Sequence, residues 1–259
     1  MDHRLPEHGG LDRRADGEPP TPGGGGPSPL PTEGVTSEVI WQAITSEPDT
    51  GVGIVSIDGQ VLYLNKQAAQ IYHGPDAKPA EFIGMFWRDL HAPEWVEERL
   101  RVLQRVRLTG KPVLMRTIWR GYQLHTWIHY IEAETPEPPD FEGADSAALP
   151  ERFLTITRRV PSEDGEEPIA SDKYELVESK VADLGPLEPL SGRELEVLAL
   201  VGQGLTLKEI ASVLHRSFKT IDNHRQSIGA KLNLEDRVQL AEVARRAGLT
   251  LRDADRTRV

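Results

Sequence analysis

The chain has no cysteine among its 259 residues, and that single absence excludes disulfides, thiolate metal sites, cysteine-ligated iron–sulfur clusters and cysteine nucleophiles together. The redox compartment is left unread by it. No apolar run approaches the roughly 20 residues needed to span a bilayer. The first residues, with Asp2, Glu7 and a succession of prolines and glycines, hold no apolar signal core. No Gly-rich phosphate loop and no nucleotide-binding block is present, which argues against a phosphotransfer enzyme.

What is present divides unevenly. The formal charge of −11 arises wholly before Leu187: the residues from there onward carry 12 Lys and Arg against 10 Asp and Glu, whereas the remainder carries 18 against 31. The C-terminal end is the basic end, at about +2. The acidic balance belongs to the rest, where it either discourages non-specific adhesion to phosphate or is merely a solvated surface. A length of 259 residues suits two domains.

Residues 1–35 are poor in large apolar side chains and hold a Pro/Gly tract with four consecutive glycines, Gly23 to Gly26, the composition of a disordered tail. Residues 36–160 read as a compact α/β block. Gly53 to Ile57 and Val61 to Leu64 are short apolar strands joined through Asp58 Gly59, a dipeptide suited to a tight hairpin. Asn65 caps a short helix ending near Gly74, and a longer helix from Glu94 to Leu108 stops at Gly110 and Pro112. Strands Val113 to Trp119 and Tyr122 to Ile131 meet at Arg120 Gly121, and a last strand, Arg152 to Arg159, follows an acidic Pro-rich excursion. Helices inserted between hairpins imply an antiparallel sheet with helices on one face. Residues 161–186 read as a linker in which Tyr174, Val177, Val181 and Leu184 fall at helical spacing, either pairing in a dimer or packing on the preceding block. Residues 187–250 form the second domain, and 251–259 a C-terminal tail.

The second domain is written in capping chemistry. Ser191 is followed three positions later by Glu194, and Thr206 by Glu209, each a reciprocal cap of unpaired backbone N–H groups. Gly202 and Gly204 end the first helix, and Ser217 caps a third whose Ile221, Ile228 and Leu232 share one stripe. That leaves Lys219, Asp222, Asn223, Arg225 and Gln226 off the core face, where polar side chains suit base edges. With Leu190 to Glu194, Leu207 to Ala211, and Thr220, Ile221, His224, Ile228, Lys231 and Leu232 in order, the segment resembles the LuxR-type helix-turn-helix family over about sixty residues. Leu207 stands where that family usually has Asn, and Asp222 where a basic or polar base reader is common; both bear on the target sequence more than on the fold. The resemblance implies a four-helix all-α domain that contacts double-stranded DNA through Lys208, Lys219, Thr220, Asp222, Asn223, Arg225, Gln226 and Lys231, as a homodimer paired through the fourth helix, about Glu235 to Ala247. Within this set, Asp222, Asn223 and Gln226 would face the groove floor, and Lys208, Lys219, Thr220 and Arg225 the phosphates. The DNA module places such a protein in the cytoplasm, away from any membrane.

The N-terminal block, with Gly53 Ile54, Asp58 Gly59, Asn65, Ala68 Ala69, Gly74, Asp89 Leu90, Pro93 Glu94, Thr109 to Lys111 and Arg120 Gly121, resembles a PAS domain. The fold class expected is therefore α+β, a PAS-like antiparallel sheet with helices followed by the helical module. That resemblance implies a five-stranded sheet cupping a cavity, used for a small-molecule ligand or cofactor whose identity the sequence does not name, or else simply for dimerising or recruiting a partner. His125 and His129 share a strand face, but four residues put them about 13 Å apart, too far to share a metal; no metal site is expected. His91, just before the long helix, stands where a haem ligand could sit, although a lone histidine is more often structural. A flavin adduct needs a cysteine. Trp87, Trp119 and Trp127 could line a cavity or be simply core. Asp58 lies in a hairpin turn without a partner acidic cluster, unlike a phosphoacceptor. The function expected is a DNA-binding transcription regulator, not an enzyme.

Overall fold

A computed structural model describes residues 36–132, 151–160 and 172–259; the expected disordered tail and the acidic Pro-rich segments lie outside these. The fold is α+β, as expected. Helix α1 (Ser37–Ser46) precedes strands β1 (Thr50–Ser56) and β2 (Val61–Leu64), which are followed by α2 (Lys66–His73), α3 (Trp87–Leu90) and α4 (Pro93–Thr109). Strands β3 (Val113–Trp119), β4 (Tyr122–Ile131) and β5 (Arg152–Arg159) complete an antiparallel order β2-β1-β5-β4-β3. Five antiparallel strands with the helices inserted between β2 and β3 make a PAS-like block.

Local chemistry explains the chain reversals. Asn65 is buried, and its amide is fully used: Oδ1 accepts from Val52 N at 2.9 Å and Ala68 N at 2.8 Å, while Nδ2 donates to the carbonyls of Thr45 and Thr50 at 2.9 Å each. One side chain thus caps α2 and pins it to β1. Gly110, with φ 64°, ends α4 in the left-handed conformation that favours glycine. Against the sheet, α4 buries Val102, Leu103 and Val106 on Val113, Met115 and Phe153.

The stretch expected as a linker helix is instead a strand. Residues Glu175–Ala182 form β6, paired parallel to β3. The free edge of β3 is the reason, since a buried strand edge must find partners for its N–H and C=O groups. Residues four apart share a face of a strand as they do of a helix, so the spacing of Val177 and Val181 serves β6 equally well: Val177 packs in the cluster that holds Met115, and Val181 in the one that holds Trp119 and Trp95. The residues expected as a C-terminal tail are also ordered. Thr250 and Asp253 cap a 3-10 turn (Leu251–Asp255), and β7 (Thr257–Arg258) lies parallel to β6.

The second domain comprises α5 (Gly192–Gly202), α6 (Leu207–Val213), α7 (Phe218–Leu232) and α8 (Arg237–Arg246). It sits against the sheet. Ile118, Ala182 and Leu184 belong to the same buried cluster as Leu195, Leu198, Ile210, Ile221 and Leu240. That explains why every residue of β3 is buried: alternate side chains face α4 and the helical domain. A four-charge cluster closes this seam. Arg116 pairs with Glu178 at 2.8 Å and lies 3.6 Å from Asp253, whose other oxygen pairs with Arg256 at 2.5 Å; Arg256 also reaches Glu178 at 2.8 Å. Arg116 Nη2 further donates to the carbonyl of Gly248. Gly248 has φ 57°, and a Cβ there would collide with Gln123. No helix among the described residues is long and apolar enough to cross a membrane.

Arg116 and Asp253 are buried, Glu178 is exposed, and removing Arg116 leaves the two carboxylates to the single cation Arg256. Arg116→Met is therefore expected to cost about 3 kcal/mol in urea unfolding, and to speed hydrogen exchange at the Val259 amide, which donates to Ala182 O across the β6–β7 pairing.

Candidate nucleic-acid interface

The helical domain is organised around a carboxylate. Glu194 Oε2 accepts from Ser191 N at 2.7 Å and Ser191 Oγ at 2.9 Å, closing the first capping box, and also from Lys231 Nζ at 2.6 Å; Oε1 accepts from Ser227 Oγ at 2.6 Å. One side chain, 5% exposed, therefore joins the start of α5 to the end of α7. Burial alone would raise its pKa. The hydrogen bonds from Lys231, Ser227 and Ser191 win and hold it down at about 2. The second box repeats the pattern at the surface: Glu209 accepts from Thr206 N and Oγ1 at 2.7 Å each, and these bonds, hydroxyl first, lower its pKa. Ser217 caps α7 by accepting from Thr220 N at 3.1 Å.

Ile221 and Ile228 of α7 are buried, with Leu232 packed partly against the same core. The opposite side of the helix is left to solvent. Asn223 and Gln226 are exposed, as are Lys219 and, on α6, Lys208. Asp222 sits among cations and a donor: Lys219 Nζ lies at 4.0 Å, Arg225 Nε at 3.6 Å, and Gln226 Nε2 donates to it at 2.9 Å. Its negative charge is thus compensated before any polyanion arrives. Thr220 is half-buried within the cap, its hydroxyl 2.8 Å from that of Ser217. Lys231 stands apart from the others, its ammonium committed to Glu194. Lys208 makes no ion pair among the described residues.

Sequence reasoning missed Phe218. It opens α7, is 50% exposed, and lies one and two turns before Asp222 and Gln226 on the same stripe. The signal was available, since an aromatic placed between a cap and Lys219 in the first turn has no core to enter.

The PAS-like block holds a cavity of about 50 Å³, bounded by Val55, Val61, Trp87, His91, Arg99 and Ile128 among others. That is room for a few heavy atoms, far less than a haem or flavin needs. His91 is wedged against Trp95, with ring centroids 4.1 Å apart, and stacks on His73 at 5.3 Å. Burial first, then the nearby His73 and Arg99, push its pKa down to about 3, so it is neutral at physiological pH. Of the three tryptophans considered for the cavity only Trp87 lines it. Trp119 is core, donating from Nε1 to Tyr72 O at 3.0 Å, and Trp127 packs on Tyr174 with centroids 4.6 Å apart. Among the described residues, no group of three metal-binding side chains converges.

Residues 188–244 match the family described as bacterial regulatory proteins, luxR family. Among curated relatives, the transcriptional regulatory protein LiaR of Bacillus subtilis is 44% identical over 61 residues, 24% of this chain and 29% of LiaR. The oxygen regulatory protein NreC of Staphylococcus carnosus is 46% identical over 59 residues, 23% of this chain and 27% of NreC. The response regulator UvrY of Escherichia coli is 30% identical over 130 residues, 46% of this chain and 58% of UvrY. The chain thus spans under a third of the first two relatives and under two thirds of the third. Among solved structures, a VqmA–ligand–DNA complex of Vibrio cholerae aligns with 82% of this chain and 90% of its own, at 16% identity and a TM-score of 0.39. A domain of an HTR-like protein from Haloarcula marismortui aligns with 43% of this chain and 98% of its own, at 14% identity and a TM-score of 0.33. The C-terminal block is a LuxR-type helix-turn-helix domain, and the sheet before it is PAS-like on the evidence of its own strand order and inserted helices.

Glu194 gives this domain a pH signature. A carboxyl held at about 2 in the fold, against 4.5 when free, contributes stability that is fully present above about pH 5 and is lost as pH falls towards 2, on the order of 3 kcal/mol in all. Acid titration of helical CD should show this loss, and Glu194→Gln should flatten the titration while lowering stability at pH 7.

Proposed function

We propose that this chain is a transcription regulator that binds double-stranded DNA as a homodimer in the cytoplasm, with the PAS-like block serving as a small-molecule sensor. The observation that carries the DNA-binding part is α7 itself: one side is buried core, and the other presents Phe218, Lys219, Asp222, Asn223 and Gln226 to solvent within a LuxR-type domain. Asn223 and Gln226 make bidentate contacts to adenine, and Asp222 accepts from a cytosine amino group once a base competes with Gln226 for it. Lys208, Lys219, Thr220 and Arg225 meet phosphates; Lys231, engaged by Glu194, acts mainly by fixing α7. Phe218 supplies the apolar contact that a thymine methyl accepts. Pairing of two copies runs through α8, the helix through which LuxR-type modules commonly pair, and its Val238 is 72% exposed.

Selection of bound DNA from a random pool should return a repeated half-site with centres about 34 Å apart or a multiple of it; a single unrepeated half-site bound by a monomer overturns the dimer.

The division of roles has its own readout in affinity measured against salt. Asn223→Ala and Gln226→Ala should relax preference at one or two base positions, each by about 1–3 kcal/mol, with the salt slope nearly unchanged. Lys208→Ala and Lys219→Ala should weaken binding to every sequence and reduce the slope by about 0.9 per lost contact. Replacing the contacted thymine by uracil should weaken the native protein about fourfold and leave Phe218→Ala indifferent. Lysine variants that change base preference, beside Asn223 and Gln226 variants that do not, would reverse the assignment.

A further inference from the structure

The cavity of the PAS-like block is lined by a buried arginine, ion-paired on one side only, whose guanidinium has donors to spare. Arg99, on α4, is 5% exposed and lines the cavity. Its guanidinium rests over the Trp95 ring at 4.7 Å and makes one hydrogen bond among the described residues, from Nη1 to the adjacent Glu98 at 2.7 Å. A guanidinium has five N–H donors in a planar fork. Nε and Nη2 make no hydrogen bond among the described residues, and such a fork matches a carboxylate in bidentate geometry.

Glu98 does not fill that role. Its carboxylate is drawn the other way, accepting from Ser179 Oγ and from Lys180 N on β6 at 2.6 Å each, so it neutralises Arg99 from one side and leaves the cavity side of the fork to a ligand. His73 and His91, the other nitrogen bases in the wall, are held below their ordinary pKa by burial and add no competing charge. The remaining wall is apolar at Val55, Val61, Leu64 and Ile128, with hydroxyls at Thr126 and Thr155. Size narrows the choice further. On a scale where one water needs roughly 10–15 Å³, a volume of about 50 Å³ holds on the order of three to five heavy atoms.

We propose that this cavity binds a short-chain monocarboxylate, its carboxylate received by Arg99 and its alkyl chain lying among Val55, Val61 and Ile128. The inference rests on the reading of the PAS-like block as a small-molecule sensor, and it gives that reading a chemical class. A dicarboxylate would set its second charge against an apolar wall that offers no second cation. A neutral isostere would leave the guanidinium as poorly satisfied as before.

The test uses the full-length chain with propionate as probe, propionamide as the neutral isostere, and sodium chloride at matched ionic strength. Propionate at about tenfold its Kd should raise Tm by about 3–6 °C and perturb tryptophan fluorescence saturably, while propionamide and salt do neither. Arg99→Met should abolish the shift, and Arg99→Lys, which keeps charge but loses the fork, should retain part of it. Equal shifts from propionamide, or none from acetate, propionate or butyrate, overturn the proposal with the native protein alone, so a variant that fails to fold does not decide it. DNA binding is measured in the same samples: loss of DNA binding with carboxylate binding intact sinks the regulator, and the reverse sinks this inference alone.

Discussion

The parallel pairing of β6 with β3 is the constraint from which the arrangement of the two domains follows. Without it β3 would end the sheet with a row of unpaired backbone groups, under a face that the helical domain covers. With it, the chain leaves the sheet at Ala182, enters the helical core within a few residues at Leu184 and Leu187, and returns after α8 to lay β7 on the far side of β6. The strand is thus gripped by both domains, and the seam between them is built from backbone hydrogen bonds, an apolar cluster and ion pairs together.

Those ion pairs sit where hydrophobic packing would be the simpler solution. Arg116, Glu178, Asp253 and Arg256 balance in charge, and each arginine reaches both carboxylates. Replacement of such a set by apolar residues of similar volume is often neutral or stabilising, whereas breaking it is costly. What the charges add is geometry. A guanidinium and a carboxylate meet at fixed angles, so the seam admits one register, and Gly248, whose carbonyl takes a bond from Arg116, must come as close to the sheet as only a glycine can. On the other side of β6, a continuous run of hydrogen bonds leads from Arg99 through Glu98 to Ser179 and Lys180, one residue from Glu178.

Local signals were legible in the sequence and long-range ones were not. Asp58 Gly59, Asn65, Gly110 and the capping pairs Ser191/Glu194 and Thr206/Glu209 each act within a few residues, and every one marks an element boundary in the structure. The spacing of Val177 and Val181 misled because an interval of four places two side chains on one face of a strand as well as of a helix, and only the free edge of β3 decides between them. The residues after Thr250 have little apolar content, and their order comes from Asp253 and Arg256 meeting Arg116 and Glu178, partners some 75 to 140 positions away in the chain. In α7, the split between buried and exposed sides followed from periodicity, whereas the ion pairing of Asp222 and the capture of Lys231 by Glu194 required coordinates.

Glu194 has a mechanical meaning beyond its stability. It welds the first turn of α5 to the last turns of α7, with Ser227 and Lys231 on one carboxylate and Ser191 beneath it. A helix fastened in this way has no hinge of its own. On the proposed reading of α7 as the helix that enters the groove, it would approach a duplex as a rigid wedge, misfit would fall on bending or widening of the DNA, and base pairs that no side chain touches would be weighed by how readily they deform.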